Sequence, residues 1–171
     1  MNYFITEAYL KLNTDVTENV DANDIIPLVK TSADMWVRSI LGTYFYKDLL
    51  TKYNNQTLNA DETTLVQDYI QSSVAWRSAA DCVVSLSYQL KNKGIQTQRG
   101  DFSDSPEYKA LMWNYHNKDQ KANFYDNRLK TYLIENKDLY PVFLDDLNID
   151  STAKRECGGD DSSFQDSIFF V

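Results

Sequence analysis

Histidine is nearly absent from this chain: His116 is the only one in 171 residues. It stands mid-helix by pattern, in Tyr115-His116-Asn117-Lys118, with no Ser, Cys or second His in a meaningful relation to it. Neither a nucleophile–histidine triad nor a histidine-based zinc site is therefore expected, and His116 reads as a surface residue. Cysteine is almost as scarce. Cys82 and Cys157 lie far apart, one in a helical pattern and one in a polar tail, which is neither a disulfide framework nor metal-ligand spacing. They read as two reduced thiols.

Glycine (5) and proline (3) are few, which predicts few turns and long elements. No glycine-rich phosphate loop can be built from them: Gly94 and Gly100 are isolated, and Gly158-Gly159 precedes no helix. No apolar run reaches the roughly 18 residues that a membrane helix needs. The start, Met1 to Glu7, lacks a basic region followed by an apolar stretch, so no signal peptide is expected and the chain should stay where it is made. Basic surplus is missing too. A net charge of −8 argues against nucleic-acid binding through clustered Lys and Arg, though an acidic wall along which DNA slides remains compatible with it. The acidic groups Asp21-Ala22-Asn23-Asp24 and Asp160-Asp161 have neither the spacing nor the glycine of a Ca²⁺ loop, so capping and solvation explain them better. No cofactor and no metal are expected, and the chain is read as a non-enzyme.

What is present is helical periodicity. Hydrophobic residues make up 43% of the chain, and a chain of this length buries roughly 70% of the surface it exposes when unfolded, so one stable domain follows. Thr6 caps a short entry helix before a loop over residues 13–19. Asp21 to Asp24 then offers side-chain acceptors for a helix start, with Pro27 read as lying in its first turn. Ile25, Val29, Ala33, Trp36 and Ile40 fall on one face of a helix over 23–41, which Gly42 ends. A shorter helix over 43–53 carries Phe45, Leu49 and Leu50.

Asn59-Ala60-Asp61-Glu62 is a capping box opening a long helix over about 60–92. Leu65, Tyr69, Ser72, Trp76, Ala79, Val83 and Leu90 make its stripe, and small residues from Ser72 to Ala80 allow close helix approach, placing this helix at the centre of the fold. Lys91, Lys93 and Gly94 are expected to close it. Residues 95–104 break the helix, with Ile95-Gln96-Thr97-Gln98 suited to a short extended segment. Ser105-Pro106 starts a second long helix over about 105–136, with Tyr108, Leu111, Tyr115, Ala122, Tyr125, Leu129, Tyr132 and Leu133 on one side. Tyr140-Pro141 forbids its simple continuation.

The fold class predicted is all-α: a helical bundle with two long antiparallel helices and an extended C-terminal tail. Residues 1–148 form the bundle domain. Residues 149–171 form a flexible linker and an apolar tail. Two features go beyond a plain bundle. The 95–104 connection is longer than a helix hairpin needs, which makes Ile95, Gln96, Thr97, Gln98, Arg99 and Phe102 candidate interaction residues. The tail ends on Phe164, Ile168, Phe169, Phe170 and Val171, apolar residues suited to burial against a partner or a neighbouring copy. Folding back onto its own bundle is the other possibility for that tail. The 12 tyrosines read as packing and interface residues rather than as a stacking site for sugars or bases.

Several short pieces, in order along the chain, carry a family likeness. They are Asn19 to Pro27, Ile40 to Tyr46 with Leu49, Lys91 to Ile95, and Asn123-Phe124-Tyr125 with Arg128-Leu129 and Tyr132-Leu133. Over residues 4–145 the chain resembles the head-to-tail connector (adaptor, head-completion ring) family of tailed bacteriophages, with the nearest likeness to versions from crAss-like phages. The resemblance implies a structural virion protein: a homo-oligomeric ring, commonly of about twelve copies, under the portal protein. The ring extends the DNA channel, docks other tail and ring proteins, passes DNA only as cargo and touches no membrane. It is assembled in the host cytoplasm and resides at the head–tail junction of the virion. The resemblance also places the tail, 158–171, where such proteins often engage the portal or a neighbour. A helical protein–protein interaction module of another phage or bacterial assembly is the alternative reading.

Overall fold

The protein, seen in a computed structural model, is described over residues 2–91, 94–97 and 108–143, with side chains for 2–87 and 108–143. Over these residues it is a helical bundle, as the periodicity predicts. Helix α1 is Glu7–Asn13. Helix α2 covers 22–41: α-helical over Ala22–Ser32, one wider π turn over Ala33–Val37, then α-helical again over Arg38–Leu41. Helix α3 is Thr43–Asn55. Helix α4 covers 60–87 and is built the same way, with a π turn at Leu65–Ile70 between Ala60–Thr64 and Gln71–Ser87. Strands β1 (Tyr88–Lys91) and β2 (Gly94–Thr97) form a small antiparallel hairpin, and helix α5 is Tyr108–Glu135.

The local signals set most boundaries. Thr6 Oγ1 accepts from the Tyr9 amide at 3.2 Å, and Asp21 Oδ1 accepts from the Asn23 amide at 2.8 Å. The capping box is complete: Asn59 Oδ1 accepts from the Glu62 amide (2.7 Å), while Glu62 Oε2 accepts from the Asn59 amide (3.0 Å). Gly42 takes φ 84°, a conformation costly for any residue with a Cβ, and so ends α2 and starts α3. Pro27, expected in the first turn of α2, lies one turn further in, because the helix begins at Ala22. Its missing amide costs one backbone bond on an exposed face.

Two other expectations shift. The helix foreseen to residue 92 ends at Ser87, and Tyr88–Lys91 instead pairs with Gly94–Thr97, Leu90 opposite Ile95. Tyr-Gln-Leu and Ile-Gln-Thr both alternate with period two, so a two-residue hairpin competes successfully with a helix end. The second shift is in α2. Val37 and Leu41 are buried, while Trp36 is 39% exposed. The π turn explains this. Steps of four residues drift around an α-helix, and one wider turn brings Ile25, Val29, Ala33, Val37 and Leu41 back onto one face. The helix foreseen over 43–53 runs to Asn55, where Gln56 turns left-handed at φ 57°. The start expected at Ser105-Pro106 lies outside the described residues.

Helix α4 runs through the centre, as its small residues imply. From Ser73 to Ala80 every residue except Trp76 is buried. Phe4 anchors the N-terminal segment: fully buried at φ 63°, it packs on Tyr46 and Tyr53, and its carbonyl accepts from Gln71 Nε2 at 2.8 Å. At the other end Tyr140 closes the bundle, its hydroxyl donating to the Asp61 carbonyl (3.0 Å) and its ring packing on Phe45. The hydroxyls of Tyr140 and Tyr132 are 3.2 Å apart, so the start of α4 is fastened to the end of α5.

Asn59→Ala removes the acceptor of the capping box. It is expected to lower unfolding free energy by about 1 kcal/mol, read as a shift in urea midpoint with an unchanged slope.

Candidate interaction site

Three places in the described structure have chemistry beyond simple packing. The first is internal. Arg77, 4% exposed, sits in the middle of α4. Its Nε and Nη2 both donate to Asp126 Oδ2, at 2.9 and 2.6 Å, Nη2 donates to Asn123 Oδ1 at 2.5 Å, and Nη1 donates to Asp119. Ser73 adds a donor to Asp126. One face of the guanidinium lies over the Trp36 ring, 3.9 Å from its centroid. One planar cation thus joins α2, α4 and α5. Moving up α4 from Ser73 to Arg77 moves down α5 from Asp126 to Asp119, which shows the antiparallel pairing directly. One turn further up α4, Ser32 Oγ donates to Asp81 Oδ2 at 2.8 Å.

The second place is a groove of about 450 Å³ between the 14–20 loop, the end of α4 and the start of α5. Val16, Val20, Cys82, Val83 and Leu111 line it. Lys118 is 5% exposed here and pairs with Asp15, while Lys11 Nζ holds the loop through the Glu18 and Val20 carbonyls at 3.0 and 2.8 Å. Burial pushes the Cys82 thiol up to about 11, so it is a packing residue and a poor nucleophile at neutral pH.

The third place is the outer face of α5. Trp113 is 70% exposed and Phe124 63% exposed. Eleven residues apart, they differ by only about 20° around a helix of 3.6 residues per turn. The buried stripe of Leu111, Ala122, Asp126, Leu129 and Leu133 points the other way. Beside Phe124 a shallow groove of about 450 Å³ is lined by Trp76, Asn117, Gln120, Lys121 and Tyr125. Lys121 Nζ lies 4.2 Å from the Trp76 ring centroid, and the Arg128 guanidinium lies 4.9 Å from that of Tyr69, which stacks on Tyr132 at 4.0 Å. The surface is aromatic and cationic at once.

Of the interaction residues expected from the sequence, Ile95, Gln96 and Thr97 fall on β2, in the extended form foreseen. Gln98, Arg99, Phe102, Phe164, Ile168, Phe169, Phe170 and Val171 lie outside the described residues, and so does the whole of the 149–171 linker and tail. His116 is exposed, its ring edge-on to Tyr115. The outer face of α5 and the Arg77 junction were not foreseen. Trp113 and Phe124 break the polar face of α5 at one helical angle, a signal present in the sequence. Arg77 gave none. Among the described residues no cluster of His, Cys, Asp or Glu is arranged to hold a metal ion, and no helix is long and apolar enough to cross a membrane.

Two measurements test the internal junction. Arg77→Ala strands the Asp126 carboxylate in the core and is expected to cost about 3–5 kcal/mol in urea unfolding, while Arg77→Met combined with Asp126→Leu recovers most of that loss. Asp81 titrates above the ordinary carboxylate value of 3.8, because burial outweighs the Ser32 hydrogen bond. The folded chain then takes up this proton before the unfolded chain does. Relative to Asp81→Asn, the natural protein gains stability as pH falls through that raised value and levels off below 3.8; urea midpoints from pH 7 to 3.5 read it.

No curated protein and no solved structure matches the chain. A family model does match over residues 37–153, from the π turn of α2 through the whole of α4 and α5. That match spans more than half of the sequence, and the chain belongs to a family of unknown function (DUF6712).

Proposed function

We propose that this chain is a structural subunit of a tailed-phage head-to-tail connector, forming a homo-oligomeric ring of about twelve copies under the portal protein. In this reading the ring extends the DNA channel, passes DNA only as cargo and docks further tail or ring proteins. It is a virion component with no catalytic role. Two kinds of observation support the reading. One is the ordered sequence likeness over residues 4–145 to connector proteins. The other, which carries most weight, is the outward face of α5: Trp113 and Phe124 stand exposed on one helical line of a body whose interior is already filled. Two large aromatics on one exposed helical line suit a surface that another protein covers.

The body suits a tiling subunit for a second reason. Arg77 locks α2, α4 and α5 to one another through groups that point in different directions, so the helices are fixed in rotation as well as in distance. A ring subunit has to keep the angle between its two contact faces constant for the ring to close.

Electron microscopy of the assembled particle is the test. A ring of this chain between portal and tail is expected at the head–tail junction. Particles with no such ring, or with the chain absent from the purified virion, exclude the connector reading. A partner held at fixed one-to-one stoichiometry would mark an autonomous interaction module instead.

A further inference from the structure

Charge is distributed unevenly along the chain. Helix α5 carries five Lys or Arg residues against three acidic ones. Two of those three, Asp119 and Asp126, are committed to Arg77, and one of the five cations, Lys118, is committed to Asp15. The outer face of α5 is therefore cationic, with Lys121 and Arg128 flanking Phe124, in a chain whose net charge is −8. The sequence after Phe143 has the opposite character. Residues 144–171 hold seven acidic and two basic side chains and finish on Phe164, Ile168, Phe169, Phe170 and Val171. One segment is acidic and rich in phenylalanine; the other surface is basic and aromatic, with a groove beside it.

We infer that the outer face of α5, centred on Trp113, Lys121 and Phe124, receives the segment 160–171 of a second copy of this chain. This deepens the ring reading and rests on it. Apolar side chains from the segment enter the Trp76–Phe124 groove, and Asp160, Asp161 and Asp166 meet the Lys121 and Arg128 cations. Such a contact joins charge complementarity, which sets orientation, to aromatic burial, which supplies affinity. Chain length lets the segment reach past its own body to a second copy, which the ring reading supplies. From Phe143 to Phe164 an extended chain spans up to about 70 Å, whereas a folded body of this size has a radius of gyration of only about 15 Å. Each copy carries both halves of the contact at different places. The contact is therefore head-to-tail, the kind that closes rings.

Two full-length variants test this. The face variant is Trp113→Ser with Phe124→Ser; the tail variant is Phe169→Ser with Phe170→Ser. The face substitutions lie at exposed positions of α5, and circular dichroism with urea unfolding should show both variants folded. In native mass spectrometry and sedimentation velocity the natural chain is expected to self-associate with rising concentration, and each variant alone to stay monomeric. An equimolar mixture of the two is expected to form a one-to-one dimer, since each supplies the half that the other lacks. A synthetic peptide of residues 158–171 should bind the tail variant at least tenfold more tightly than a chain carrying both pairs of substitutions, and raised salt should weaken it.

Failure of the mixture to pair, or peptide binding indifferent to Trp113 and Phe124, overturns the inference. So does a natural chain that stays monomeric at concentrations where the mixture pairs, because its own tail then occupies its own face. These outcomes separate from those of the ring reading. A ring imaged in the particle with nothing on the α5 face removes this contact and keeps the ring; a particle with no ring removes the ring whatever the mixture does.

Discussion

The structure depends on one buried cation. Arg77 lies where α4 is covered on nearly every side, and a guanidinium there is tolerable only if its donors are matched and its faces are covered. Asp126, Asp119 and Asn123 match the donors, and Trp36 covers one face. Those demands reach into both neighbouring helices. They fix the register of α5 against α4, because residues 119, 123 and 126 fall on one line of α5 at helical spacing. They also fix where α2 must place Trp36. A purely apolar seam of Ala and Ser would let these helices slide by a turn at small cost; a guanidinium with a planar fork does not.

The π turns belong to the same constraint. In α2 the wide turn at Ala33–Val37 rotates the helix so that Val37 and Leu41 continue the buried line while Trp36 meets Arg77. In α4 the turn at Leu65–Ile70 precedes the buried run from Ser73, with Leu65, Val66 and Ile70 all inside the core. With the interior fixed in this way, the outer face of α5 is presented at a constant angle. Its aromatic and cationic side chains then form a surface of set shape, which is what a tiling contact requires. The loop from Thr14 to Val20, held by Lys11 and by the Asp15–Lys118 pair, does the same for the first half of α5.

Much of this was legible in the sequence. Thr6, Asp21, Asn59 and Gly42 each act through atoms within a few residues of themselves, so their capping and terminating roles follow from local chemistry alone. The central position of α4 followed from its run of small residues, whose meaning is steric and needs no partner to be named. The short extended stretch at Ile95–Thr97 follows from its alternation of branched and polar side chains, which is also local. Its mate does not. Tyr88–Lys91 looks helical in isolation and becomes a strand only because a partner strand lies two residues further on.

Long helices, few turns and an all-α bundle were thus determined by the sequence itself, since propensity, capping and periodicity act over one or two turns. Only the tertiary structure decided that Trp36 faces a guanidinium, that Lys118 and Asp126 lie on the buried side of α5, and that Trp113 and Phe124 lie outside it. A charged residue inside a helix gives no local sign of whether it meets water or a carboxylate from a helix 49 positions away, as Arg77 does. The identity of that partner is a fact of three-dimensional packing, and the register of the whole bundle follows from it.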